Sequence, residues 1–415
     1  MILNYIKIAW KVLLRHPFYT FITLFGITLT LTVLMVLTSF LDHLMGSHYP
    51  EFKRDRSLYV MQVAQFDSIR QSSRSGPASF KFLTEYVKTL KTPEKVSFST
   101  IMGSSNTYVN GRRLKLSIKY CDATFWEIYD FKFLEGQPFN EQHITNGEKT
   151  IVITEAIKKQ YFENGEESVV GKNMEIDNEK YKVIGVVKTG PITRILSYAD
   201  VYFPYTMPKS NYQKTGFNGS YYATILARNK ADLPLIQQEF DAAIDRISLP
   251  RTEEGFTYYF LDVSARNYID NFFDGLFFGA EAGKKIYVII ALIMLMLMGL
   301  PAINLVNLNV SRIMERASEI GIRKAFGAPA RTLASQFIIE NIFITLIGGL
   351  LALVLTFGII QLINNSGMIP YADLTINFSV FSVSILVCFV FGLLSGVVPA
   401  LRMSKLKVVE ALKNT

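Results

Sequence analysis

Several groups of residues in this chain have types and spacings that invite a chemical reading. His43 and His48, beside Asp42, are of the types that ligate metals. A spacing of five takes two ligands off one helical face, and no convincing third ligand stands nearby, so no metal is expected. Residues 165–173, Gly-Glu-Glu-Ser-Val-Val-Gly-Lys-Asn, imitate a phosphate-binding loop. The loop is one residue too long, and Asn173 stands where magnesium needs a Ser or Thr hydroxyl. No Gly-x-Ser-x-Gly, His-Glu-x-x-His or catalytic Cys/His arrangement occurs, and Cys121 and Cys388 are lone thiols. The expectation is a chain that is not an enzyme and holds no cofactor of its own.

Other groups point to mechanical work. Arg316, Glu319, Ile320 and Arg323 follow an i, i+3, i+4, i+7 pattern, which places them on one face of a helix. A bare Glu319–Arg323 bridge on a solvated face would be worth roughly 0.3–0.5 kcal/mol. The alternative is a docking face for a partner. Glu340 lies inside an otherwise apolar run, where an unpaired charge is costly. It either pairs locally, with Arg331 or a headgroup, or serves a subunit interface. Gly392 and Gly396, four apart, allow close helix packing, and Pro399 bends the end of its helix.

The elements that must position these residues follow from composition. Of 415 residues, 50% are hydrophobic and only 19% charged, and the mean hydropathy is +0.24. Four apolar runs, 18–41, 286–308, 337–363 and 378–401, are each long enough to cross a bilayer of roughly 30 Å as a helix. Lipid offers backbone groups no outside partner, so helices are expected. The net charge of +8 does not mark a nucleic-acid groove, because the insert 42–285 balances 31 Lys+Arg against 30 Asp+Glu. The excess sits on short flanks: Lys7, Lys11 and Arg15; five basic residues in 309–336; and Arg402, Lys405, Lys407 and Lys413. Loop 364–377 has no Lys or Arg. The positive-inside rule then places both termini and the 309–336 link in the cytoplasm, with 42–285 and 364–377 outside. Run 18–41 lacks a small-x-small cleavage site and is taken as an uncleaved span. Residues 1–17 carry Ile2, Ile6, Trp10 and Leu13 opposite a Lys7, Lys11, Arg15 stripe, as an interfacial helix would. The tail is 402–415.

The insert mixes periodicities. Residues 181–187 and 220–228 alternate as strands, whereas 154–162 and 233–247 have helical spacing. The latter is expected to bury Leu235, Ile236, Phe240, Ala243, Ile244 and Ile247. Asn164-Gly165 and Asn218-Gly219 read as turns. The fold class is thus an α-helical membrane protein with four transmembrane helices and a large α+β extracytoplasmic domain between helices 1 and 2.

The cytoplasmic link reads Glu315-Arg316-Ala-Ser-Glu319-Ile320-Gly-Ile-Arg323-Lys324-Ala-Phe326-Gly-Ala. It resembles the signature link of MacB/FtsX-like ABC transporter permeases. Residues 336–340, residues 396–402 (Gly-Val-Val-Pro-Ala-Leu-Arg) and Val409-Glu410-Ala411-Leu412 resemble further signatures of that family, although Lys407 stands where proline is frequent. Residues 134–139, 152–162, 170–172 and 181–188 are similar to the MacB-type periplasmic core. MacB itself carries an ATPase in the same chain and this sequence has none, so the resemblance is to the stand-alone permeases.

That resemblance implies a bacterial inner-membrane subunit of a dimer, with a second copy or a paralogue. A separate ABC ATPase binds ATP and magnesium. Glu315, Arg316, Glu319, Ile320, Arg323, Lys324 and Phe326 would couple to it, with Ile320 and Phe326 as apolar anchors. A periplasmic adaptor and an outer-membrane channel are possible further partners, besides membrane lipids. Three uses fit: efflux or extrusion of a peptide, drug or lipid-linked cargo; FtsX-like activation of a periplasmic cell-wall hydrolase; and lipoprotein release. The full outer domain favours the first.

Overall fold

The computed structural model describes residues 14, 17–67, 69, 72–162, 167–249, 258–277, 285–286, 288–296, 299, 322, 326, 330–371, 373–383, 385–386 and 389–390. They fall into two compact units. One holds residues 1–43, 286–368 and 373–415, and the other 44–285 with 369–372.

In the membrane unit, helix α1 (Pro17–Met45) starts at a proline, whose fixed φ suits a first helical turn. Phe21, Phe25, Leu29 and Val33 recur every four residues and are exposed, as a lipid-facing stripe must be. Ile27, Leu31, Leu34 and Met35 are buried on the other side. A second long apolar helix covers Ala330–Ser366. Among the described residues these two helices are long and apolar enough to cross a membrane, over Thr20–Met45 and Ile338–Ser366. The other two expected spans are described only in part, with 288–296 and 378–383 helical. The expected interfacial helix lies outside the described residues except for Leu14 and Pro17, and so do most of the link and the tail. The second helix also includes residues 330–336 of the expected link, ahead of its apolar stretch.

The outer unit is an α+β domain. Its main sheet contains ten strands: β1 (Ser57–Val60), β4 (Lys95–Thr100), β5 (Gly103–Val109), β6 (Arg112–Cys121), β7 (Phe133–Gly136), β8 (Thr150–Thr154), β9 (Asn173–Ile176), β10 (Glu179–Val187), β11 (Val201–Pro204) and β12 (Tyr221–Leu226). The order is β1-β12-β4-β6-β11-β8-β10-β7, with β5 on β6 and β9 on β10. A smaller antiparallel sheet joins β13 (Tyr258–Asp262), β2 (Val63–Asp67) and β3 (Ser72–Gly76).

Side chains alternate across the main sheet, so its strands feed two cores. Ile151, Ile153, Val201 and Phe203 face one, with Ile157 of helix α2 (Glu155–Tyr161). Val152, Tyr202 and Val187 face the other, with Phe125, Tyr129 and Phe139. Thr154 caps α2 by accepting from Ile157 N–H at 3.4 Å. Helix α3 (Leu233–Ile244) seals a third cluster with Ile236 and Phe240. Leu235, expected inside, is exposed, because it sits about 100° around the helix from Ile236 and off the stripe. Asn218 is more than a turn residue. Its amide donates to Val63 C=O at 2.8 Å and Gly76 C=O at 3.2 Å, tying β2 and β3 to the main body. Gly136, at φ +62°, has no room for a Cβ, which would lie 2.0 Å from Ile184 O.

Candidate functional site

The chain enters the outer unit at Leu44 and turns into it through residues 46–51. Here a buried cluster of charges forms a collar. Arg54 holds the Glu51 carboxylate with two guanidinium nitrogens, Nε at 2.7 Å, and its Nη1 donates to Leu44 C=O at 2.7 Å. Arg194, fully buried, donates to Gly46 C=O at 2.8 Å. Ser197 closes the other Glu51 oxygen at 2.5 Å. The guanidinium of Arg54 lies over the Tyr268 ring at 3.7 Å, a cation–π contact.

Tyr268 opens helix α4 (Tyr268–Phe277), in the segment by which the chain leaves the domain. The collar therefore ties the entering and leaving segments together. Backbone bonds reinforce it: Tyr59 N–H donates to Arg266 C=O at 2.7 Å, and Arg266 N–H returns to Tyr59 C=O at 3.1 Å. The Asn271 amide donates to both carbonyls, at 3.1 and 3.0 Å.

The electrostatics follow from burial. Burial opposes the charge on Arg54, but Glu51, Tyr59 and Tyr268 together outweigh it and its pKa is raised. Arg194 is pushed down to about 10, chiefly by burial and then by the like charge of Arg54. Burial raises Tyr268 and Tyr59. Such a cluster binds and orients chain segments. It has no group poised as nucleophile or base. Elsewhere in the unit, burial lifts the Cys121 thiol well above its ordinary value, which removes its nucleophilic form.

A second arrangement lies within the membrane unit, where α1 packs on the helix Ala330–Ser366, hereafter α5. Thr28 Oγ1 donates to Gly348 C=O at 3.3 Å and Thr32 Oγ1 to Ala352 C=O at 3.4 Å, a matched four-residue step on each helix. A Cβ on Gly348 would lie 2.7 Å from Ile27, and one on Gly349 3.0 Å from Ile385. Glycine is what lets three helical segments approach here.

The residues singled out from the sequence fare unevenly. Glu315, Arg316, Glu319, Ile320, Arg323 and Lys324 lie outside the described residues, as do Gly392, Gly396 and Pro399. Phe326 is described and is 88% exposed, and its N–H donates to Ile322 C=O at 3.1 Å. Glu340 is buried on α5, near the start of its apolar stretch and beside the buried Asn341. The collar and the Gly348–Gly349 seam were not foreseen. Glu51 and Arg54, three apart, and Thr28 and Thr32, four apart, were the available signals.

Residues 20–243 match the MacB-like periplasmic core domain, and residues 289–408 match the FtsX-like permease C-terminal domain. The uncharacterized ABC transporter permease YvrN of Bacillus subtilis (strain 168) is 26% identical over 70% of this chain and 68% of its own length. YknZ, an uncharacterized ABC transporter permease of the same organism, is 23% identical over 99% of both chains. The macrolide export ATP-binding/permease protein MacB of Acinetobacter baylyi is 25% identical over 96% of this chain. This chain spans only 58% of that relative's length.

Proposed function

This chain belongs to the family of ABC transporter permeases with a MacB-like periplasmic core domain and an FtsX-like permease C-terminal domain, and from that premise we propose that it passes motion from a separate ATPase to its outer domain. The observation that carries this reading is the collar. A lever needs its load attached at both ends, and Glu51, Arg54, Arg194 and Tyr268 bind the entering and leaving segments into one buried junction. Breaking such a junction by removing one charge costs about 3–5 kcal/mol, so it resists small displacements.

In this proposal both termini and the 309–336 link are cytoplasmic, in a bacterial inner membrane. Arg316, Glu319 and Arg323 set the register of the link on the ATPase, and Ile320 and Phe326 are its apolar anchors. Glu315 and Lys324 flank that face. The exposure of Phe326 supports the assignment, since a large ring left in water is available to a partner. ATP and magnesium belong to the ATPase. Two permease copies, or one with a paralogue, close together as ATP binds, and the outer domains move with them. The name of the MacB relative, a macrolide export protein, supports extrusion; the proposed cargo is a drug, peptide or lipid-linked molecule, and the proposed further partners are a periplasmic adaptor and an outer-membrane channel.

Mild-detergent purification of the tagged chain, with bound proteins identified by mass spectrometry, tests this. An ABC ATPase should be recovered, and Arg323→Glu should reduce its recovery at least tenfold. Recovery unaffected by Arg323→Glu would remove the coupling assignment. A cell-wall hydrolase in place of an adaptor would replace extrusion with the regulatory reading.

A further inference from the structure

One cleft of the outer unit, remote in sequence from the collar residues, combines opposite charges with aromatic walls. It has a volume of about 180 Å³ and is lined by Lys81, Phe82, Glu85, Tyr86, Thr215, Gly216 and Phe217. Its shape starts in the backbone. The chain opens as an α-helical turn at Phe80–Phe82, where Ser79 Oγ accepts from Phe82 N–H at 3.1 Å. It then widens into a π-helix over Leu83–Val87, and Lys88 N–H reaches Leu83 C=O at 2.9 Å.

Lys81 and Glu85 stand four residues apart, the spacing at which opposite charges on an α-helix ordinarily pair. Glu85 lies in the π turns and Lys81 in the α turn before them, so the two do not share one regular helix. Among the described residues neither side chain makes an ion pair. Both remain exposed at the cleft.

Between them lies an aromatic floor. The Phe82 and Tyr86 rings are 5.1 Å apart, and Phe82 meets Phe217 edge-on at 6.0 Å. On the facing loop Gly216 leaves open space, with nothing within 4 Å of where a Cβ would stand.

A ligand of single charge would satisfy one of the two ions and leave the other facing it unmatched. A zwitterion answers both. An apolar cavity of roughly 150 Å³ takes a benzene ring, so the cleft has room for one ring or branched alkyl group with its charged ends. We propose that this cleft binds a zwitterionic small molecule of amino-acid size. Its ammonium sits on the Glu85 carboxylate and the Tyr86 ring, its anionic group on the Lys81 ammonium and the Thr215 hydroxyl, and its apolar part over Phe82 and Phe217. Free aromatic or branched amino acids supply all three features, and phosphoethanolamine headgroups supply the two charges. The site is independent of how the chain couples to an ATPase.

Calorimetric titration of the full chain in lipid nanodiscs tests it, with a panel of aromatic and aliphatic L-amino acids and with glycerophosphoethanolamine as probes. At least one probe should bind saturably. Lys81→Met and Glu85→Gln should each weaken that binding at least tenfold without changing the melting temperature, since both side chains are exposed. Binding by an amino acid identifies a free metabolite as the ligand, and binding by glycerophosphoethanolamine identifies a headgroup. The proposal is overturned if no probe binds, or if binding survives both substitutions.

Discussion

Glu340 and His43 aside, the buried polar groups described in the membrane unit are hydroxyls and an amide, whereas the outer unit also buries arginines and lysines. In the outer unit charge-bearing groups go inside: Arg54 is matched by the Glu51 carboxylate, while Arg194 and Lys119 rest on the carbonyls of Gly46 and Thr100, at 2.8 and 2.6 Å. Its unfolded state is in water, so a buried charge must recover the hydration it loses. In the membrane unit Thr28, Thr32 and Ser39 donate to carbonyls of Gly348, Ala352 and Thr375. In α5 those carbonyls already serve their own helix, so the hydroxyls share acceptors rather than complete new pairs. The collar is therefore costly to break, whereas the helix seam, glycine-lined and held by shared acceptors, is cheap to shift.

The comparison can be broken at its strong end first. Arg54→Met leaves the Glu51 carboxylate buried without its guanidinium, and the outer unit should lose about 3–5 kcal/mol. Thermal unfolding of the full chain, followed by protease resistance of the outer unit, measures this. A loss below about 1 kcal/mol would mean that the collar is not held by its ion pair.

Lys119 sharpens the same rule through pH. Burial pushes its pKa from 10.5 down to about 7, so above pH 7 the folded state has shed a proton that the unfolded state keeps. Stability of the outer unit should then rise with pH between about 7 and 9, by up to about 1.4 kcal/mol per pH unit, until the raised Cys121 thiol begins to act in the opposite direction. Lys119→Met should flatten that slope. Burial also pushes Asp122, despite donors from Ser97, Phe98 and Phe125, up to about 7. Its contribution falls as pH rises between 3.8 and about 7, below the lysine window. The buried tyrosines titrate above it.

The smallest effect belongs to the membrane unit. Thr28→Val keeps the shape and removes one shared hydrogen bond, and should cost only about 0.6 kcal/mol in detergent-driven unfolding. A loss comparable to that of Arg54→Met would erase the distinction between the two units.

Much of the fold was legible along the chain. Strand alternation at 181–187 and 220–228 appears as β10 and β12, and the helical spacing at 154–162 and 233–247 as α2 and α3. Leu235 shows the limit of that reading, since apolar identity does not say on which side of a stripe a residue falls. The functional sites were less legible. Arg54 lies in the run Lys53-Arg54-Asp55-Arg56, where composition gives no reason to bury one and leave its neighbours out. Gly348 and Gly349 share their helix with Gly358, and only the approach of Ile27 and Ile385 distinguishes them from it.

What the sequence determined by itself is what depends on local pattern and solvent: the apolar runs, the charge bias that argues their orientation, the strand and helix periods, and the family signature. Hydropathy and periodicity act over a few neighbouring residues, so they can be read one segment at a time. The tertiary structure alone decided which charges meet in the collar, which glycines admit a second helix, and that Lys81 and Glu85 do not pair. Each of these depends on atoms brought together from distant segments, or on a backbone turn that the residue types do not specify.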